Sequence, residues 1–128
     1  MSWLLDAAMV LLVVICAMSC KKEHEEEKAK VNDLCENISH KGASCRGEAI
    51  ECSPCNPACL DRWVTVVDSS DACGDIYVDY YECINQLGCG ELEVWYTALG
   101  QGGTDYPCGE IEKMFRDACS GLPLTDVD

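Results

Sequence analysis

The distribution of cysteine constrains this chain more than any other feature. Ten of its twelve cysteines fall between positions 35 and 119: Cys35, Cys45, Cys52, Cys55, Cys59, Cys73, Cys83, Cys89, Cys108 and Cys119. Such a density marks a disulfide scaffold, and disulfides persist where the compartment is oxidising, outside the cytosol. Ten is an even number, enough for five bridges, but it allows on the order of 900 pairings. The chain holds a single Phe, and a core of about 100 residues is marginal by itself. Each native bridge in a small exported domain contributes ~2–5 kcal/mol, so crosslinks are expected to supply what the thin core lacks.

The other two cysteines, Cys16 and Cys20, sit at the start of the chain. Ala7 to Ser19 is an uncharged run of thirteen residues rich in Leu, Val, Ile and Met, and Lys21-Lys22-Glu23-His24-Glu25-Glu26-Glu27-Lys28 comes directly after Cys20. A bilayer-spanning helix needs about twenty apolar residues, so the run is short for an uncleaved anchor. Its length and small-residue end fit a secretory signal peptide covering residues 1–19. Cleavage before Cys20 removes Cys16 and leaves Cys20 as the first mature residue. If a lipid consumes Cys20, ten cysteines remain to pair. If none does, one thiol is left over.

Ala17-Met18-Ser19-Cys20 resembles the lipobox of small cysteine-rich bacterial lipoproteins, in which the cysteine thiol is acylated. Ala17 stands where Leu is usual, and the first ten residues carry no Lys or Arg. The resemblance implies lipidation at Cys20, a membrane partner held through that lipid, and a place in the cell envelope. Lys21 rather than Asp after the cysteine implies the outer membrane. Ala17-x-Ser19 satisfies ordinary signal peptidase equally well, which keeps a soluble secreted product as the alternative.

Charge narrows the partners. The full chain carries −14, and loss of Asp6 with the leader makes it −13. Nucleic acid is excluded as a partner, because phosphate backbones are bound by clustered Lys and Arg. A protein partner of unspecified kind is expected.

Residues 20–34 read as a charged tether. Val31, Leu34, Cys35 and Ile38 then recur at helical spacing. A disulfide-rich domain over residues 35–120 follows, with a flexible tail over 121–128. His24 lies in the tether and His40 in a loop signal beside Lys41-Gly42; both are expected to be exposed bystanders. Cys45 to Cys59 contains two prolines and a glycine and should be irregular. Asn56-Pro57 is a helix start leading into Leu60 to Val67, although Trp-Val-Thr-Val-Val leaves a strand open. Ile76, Tyr80, Cys83, Ile84 and Leu87 share one helical face with Gly88 as the stop. Leu92, Trp95, Tyr96 and Leu99 form a second stripe before Gly100. Ile111, Met114, Phe115, Ala118 and Cys119 form a third, on a helix from Cys108 ended by Gly121 and Pro123. Leu124 to Asp128 should fray. The fold class is mainly α: a small disulfide-stapled helical domain with an irregular Cys-rich loop.

Spacing suggests how the staples could lie. Cys35 to Cys45 and Cys73 to Cys83 each enclose nine residues, and Cys108 to Cys119 encloses ten. Cysteines three turns apart lie near one side of a helix, and Cys73–Cys119 with Cys83–Cys108 would staple two antiparallel helices twice. This spacing is similar to that of the twin Cys-x9-Cys helical hairpins, a likeness of stapling geometry alone.

Chemistry-bearing motifs are few. Cys52-Ser53-Pro54-Cys55 resembles thioredoxin-like redox motifs, but no strand or βαβ pattern surrounds it. Cys52, Cys55 and Cys59, with Cys45, have thiolate-ligand spacing, yet an oxidising compartment disfavours free thiolates. No metal or cofactor is therefore expected. The chain has no Gly-x-Ser-x-Gly, phosphate loop or His-Glu-x-x-His, and Glu91/Glu93 and Glu110/Glu112 diverge on a helix. The expectation is a non-enzymatic binding or structural module, with a thiol oxidoreductase at Cys52/Cys55 as the enzymatic rival.

Overall fold

A computed structural model describes residues 2–98, 105–126 and 128, with side chains from residue 24 onward. It contains five helices: α1 Ser2–Cys45, α2 Pro57–Ser69, α3 Asp71–Asn85, α4 Cys89–Ala98 and α5 Gly109–Ala118. No strand occurs among the described residues. The chain divides into two units, Met1–Lys30 and Val31–Asp128. The first belongs to α1, so the charged run read as a tether is helical. The second holds the core.

Local sequence explains most boundaries. Val31, Cys35 and Ile38 are buried on α1 as their spacing predicts. The helix does not stop at Lys41-Gly42. It continues to Cys45, which corrects the loop placement of His40. Gly42 is helical and lies under Tyr96: a Cβ there would meet Tyr96 Oη at 3.2 Å, so the close approach suits glycine. The true stop is Gly47, at φ 69°. The Glu48 N–H donates to the Ala43 carbonyl at 2.9 Å and the Gly47 N–H to the Ser44 carbonyl at 3.1 Å. Those are the two bonds that close a helix end on a left-handed glycine.

α2 starts where Asn56-Pro57 predicts, with the Asn56 side chain accepting from the Cys59 N–H at 3.3 Å. The β-branched run from Trp63 to Val67 is helical, and Trp63, Val66 and Val67 are buried. Ser70 alone separates α2 from α3. Its N–H bonds the Val66 carbonyl and closes α2, while its hydroxyl accepts from the Cys73 N–H at 3.2 Å and opens α3. So tight a corner brings the helices close, and Gly74 faces Val67 where a side chain would not fit.

α3 packs against both α2 and α5. Its buried face is therefore wider than the predicted stripe and takes in Tyr77, Val78 and Tyr81. Leu92 and Trp95 on α4 and Phe115 on α5 are buried as expected, but Tyr96 and Met114 are not: they are 37% and 56% exposed. Leu99 and Gly100 lie outside the described residues.

The core is polar as well as apolar, and its tyrosine hydroxyls are partnered. Tyr77 donates to the Cys59 carbonyl and Tyr81 to the Leu124 carbonyl, both at 2.6 Å. The Trp95 indole N–H donates to Tyr80 Oη at 2.7 Å, and Tyr106 donates to Glu112 at 2.9 Å. Trp95 can only donate and the Glu112 carboxylate can only accept, so Tyr80 is the donor in its 3.2 Å bond to Tyr106. Burial raises the pKa of Tyr77, Tyr80 and Tyr81, which keeps all three as neutral donors.

The expected fraying is not what the structure has at Leu124, Thr125 and Asp128. Leu124 and Thr125 are buried, and Asp128 accepts from the N–H groups of Leu124 and Thr125 at 2.9 and 2.8 Å. Arg116 bonds the same carboxylate at 2.7 Å. Burial pushes the Asp128 pKa up, but the Arg116 and backbone bonds outweigh it and hold the group below its ordinary 3.8. No sequence periodicity marks such a clasp.

These contacts predict the effect of two substitutions. A Cβ at Gly74 would stand 2.9 Å from Val67 Cγ2 and 3.1 Å from Val67 Cβ. Overpacking costs ~1–3 kcal/mol, against ~1 kcal/mol gained from Gly to Ala in a helix; Gly74→Ala should lose about 1 kcal/mol in urea unfolding. Asp128→Ala should cost ~1–3 kcal/mol at pH 7, since two amides and Arg116 lose their acceptor. A depressed carboxylate contributes stability above its unfolded pKa and loses it as pH falls. The deficit of Asp128→Ala should therefore shrink below about pH 4.

Candidate functional site

The irregular segment between α1 and α2 is flanked by bridged cysteines that belong to the helices. Cys35 pairs with Cys59, joining α1 to α2, and Cys45 pairs with Cys89, joining α1 to α4. Cys73–Cys119 and Cys83–Cys108 bind the two ends of α3 to opposite ends of α5, which makes those helices antiparallel. This is the double staple that the nine- and ten-residue spacings allow. The fifth bridge, Cys52–Cys55, spans three positions and connects no two helices. A ligand set of Cys45, Cys52, Cys55 and Cys59 does not assemble, because Cys45 and Cys59 are bonded elsewhere and Cys59 is fully buried.

The Cys52–Cys55 bridge is different in kind. Cys52 is exposed and Cys55 half-buried. Cys55 directly precedes Asn56, the N-cap of α2. The motif thus does sit at a helix N-terminus, the place that favours a reactive cysteine, although no strand leads into it.

α1 presents two side chains to this corner. Glu36 and His40 are four residues apart, hence on one face of the helix. Glu36 accepts three contacts from two backbone N–H groups: Cys55 at 2.9 Å to Oε1 and 2.8 Å to Oε2, and Asn56 at 3.0 Å to Oε1. That grip fixes both the loop and the carboxylate. One ligand atom each from Glu36, His40 and Cys55 lie within 4.8 Å of one another. Cys52 Sγ stands one bond further, attached to Cys55 Sγ.

Electrostatics separates the chemistries available here. A carboxylate beside Cys55 disfavours a second negative charge there, so opening the bridge would leave little thiolate at Cys55 to attack another disulfide. The same carboxylate suits a cation. The corner also borders an open hollow of about 400 Å³, walled by Ser39, Ala43, Arg46 and Ile50 with both cysteines. On the far side of Arg46 and Tyr96 lies a more apolar hollow of about 340 Å³, lined by Gly42, Leu92 and Thr97.

All ten candidate cysteines from Cys35 to Cys119 are disulfide-bonded, whereas the side chain of Cys20 lies outside those described. Sequence periodicity does not single out Glu36, and Lys41-Gly42 reads as a helix end that leaves His40 in a loop. Their i, i+4 spacing is the one signal the sequence holds; the long-range approach of Cys55 leaves none. Among the described residues no helix is long and apolar enough to cross a membrane. No family model, curated protein or solved structure matches the chain.

The short bridge should be the dispensable one. On the chain-entropy relation a loop of about four residues stabilises by ~2 kcal/mol and one of about fifty by ~4 kcal/mol. The pair Cys52→Ser with Cys55→Ser should therefore lose no more than ~2 kcal/mol, and Cys73→Ser with Cys119→Ser ~3–4 kcal/mol. Urea unfolding of the two double variants checks the order.

Proposed function

We propose that this chain is an exported cysteine-rich lipoprotein, acylated at Cys20 and held at the cell envelope as a non-enzymatic binding or structural module. One observation supports the reading above others. The ten cysteines from Cys35 to Cys119 satisfy one another completely in five bridges. None of them draws on Cys16 or Cys20. Removal of a leader, and conversion of Cys20 to a thioether, therefore cost the fold no crosslink. Five bridges also call for an oxidising compartment, and the apolar run before Cys20 supplies the route to one.

The folded unit has the character of a scaffold. Four of its bridges tie helix to helix or helix to loop, and its buried tyrosines and Trp95 serve packing and hydrogen bonding. What it offers a protein partner is surface, and Tyr96 and Arg46 line the two hollows in it. A soluble secreted effector or inhibitor is the rival, and it differs at one atom, the sulfur of Cys20. The Cys52–Cys55 pair just before α2, with Cys52 exposed, is what favours the third reading, a thiol oxidoreductase. Glu36 beside Cys55 weighs against it.

Intact mass of the non-reduced full chain, expressed in a Gram-negative host with and without an alkylating agent, tests the proposal. The expected product begins at Cys20, is heavier by a diacylglycerol-sized lipid, and takes up no alkyl group. A product that begins at Cys20 with no lipid and one alkylated thiol would establish the secreted form instead.

A further inference from the structure

The Cys52–Cys55 corner carries more than a crosslink. We propose that opening this one bridge creates a Zn²⁺ site made by Cys52, Cys55, His40 and Glu36, so that the disulfide is a redox lock on a metal centre.

The donor set argues for zinc. Two thiolates, an imidazole and a carboxylate are the ligand types zinc accepts in tetrahedral sites. Two come from Cys52-x-x-Cys55 and two from the Glu36/His40 pair on one face of α1. With metal–ligand distances of about 2.0–2.3 Å, tetrahedral ligand atoms stand roughly 3.3–3.8 Å apart. Donor atoms of Glu36, His40 and Cys55 already lie within 4.8 Å of one another, which leaves about 1–1.5 Å to close to the tetrahedral spacing. The carboxylate is held ready. Oε1 accepts two backbone N–H contacts and Oε2 only one, which leaves Oε2 a lone pair for the metal. Bonds of this kind, from the surrounding shell to a ligand, orient it and strengthen a site. His40 is exposed, which gives the ion a route in.

The disulfide closes the site for two reasons. Two sulfurs bonded to each other cannot take separate corners of a tetrahedron around one ion. In that state they also carry no negative charge. A dithiol reductant changes both: it gives two electrons to the S–S bond and becomes a disulfide itself, while Cys52 and Cys55 each gain a proton. Zn²⁺ then takes the place of those two protons. The assembled site has two thiolates, one carboxylate and one neutral imidazole around a double positive charge, so three negative charges without the ion become one net negative charge. Repulsion between Glu36 and a Cys55 thiolate, which hinders redox exchange, becomes attraction to a shared cation.

The fold permits the switch because the other four bridges hold it. None of them passes through Cys52 or Cys55, and Cys35–Cys59 and Cys45–Cys89 fasten both ends of the segment that carries the pair. The inference does not depend on the lipid: an unlipidated chain has the same corner.

The test uses the full chain in two forms, fully oxidised and reduced with one equivalent of a dithiol that is then removed. Alkylation and peptide mass identify the opened bridge. Zn²⁺ is titrated alone in competition with a chromophoric chelator. The two-thiol form should have Cys52 and Cys55 as its free thiols and bind one Zn²⁺ at least ~100-fold more tightly than the oxidised form, since thiolates are the main source of affinity. His40→Ala and Glu36→Gln should each weaken binding by about tenfold or more. Opening of another bridge first, equal affinity in both forms, or affinity indifferent to His40 and Glu36 would each overturn the proposal. The comparison of oxidised and reduced wild type needs no variant to fold.

Discussion

The covalent fastening of α3 to α5 at both ends is the constraint on which the rest of the domain rests. A single bridge would leave the two helices free to pivot. With Cys73 tied to Cys119 and Cys83 to Cys108, direction, register and separation are all fixed. Crosslinks of this kind act largely by removing freedom from the unfolded chain, which is valuable where little apolar surface is available. Once α3 is held, every other element can be placed against it. α2 joins it through the one-residue corner at Ser70, and Cys35–Cys59 adds α1 to α2.

α3 is also where the hydrogen bonds converge. Tyr77 reaches back to α2, Tyr81 to the C-terminal segment, and Tyr80 to Trp95 on one side and Tyr106 on the other. Asn85, at the end of the same helix, donates to the Leu34 carbonyl at 3.1 Å, and its own carbonyl accepts from Lys41 at 2.8 Å. A tyrosine fills a core as a phenylalanine does, but its hydroxyl must find a partner once buried. With one Phe in the whole chain, the domain uses this requirement as a device. Each buried hydroxyl fixes the position of a second element, so packing and orientation come from the same side chain.

The Cys52–Cys55 bridge has no structural task of comparable size. It closes a very short loop and stands at the surface, while Glu36 already ties the same loop to α1 through the Cys55 and Asn56 N–H groups. A carboxylate committed to backbone amides, a histidine one turn along and an accessible cysteine pair form a place where a cation would be stable and an anion would not. The anchored-module reading and the metal inference draw on different parts of the chain. The first concerns where the domain is held, and the second concerns what a change of redox state would do to it.

Much of the architecture could be read from the sequence because its causes are local. Helical stripes, Asn56-Pro57 at the head of α2, and the three-turn spacing of Cys73, Cys83, Cys108 and Cys119 each depend on residues close in the chain. Amphipathic period, capping and cysteine density set the class of fold. What required tertiary structure depends on distant groups. Gly42 lies under Tyr96 on a helix that runs past it, the backbone of buried Leu124 is held by Tyr81 and Asp128, and Cys45 and Cys59 leave their neighbours for Cys89 and Cys35. The candidate site belongs to this second kind. Glu36 and His40 meet Cys55 across a loop of irregular backbone, and no periodicity encodes such a meeting. Local propensity set the elements, whereas long-range burial and crosslinking chose which side chains share a corner.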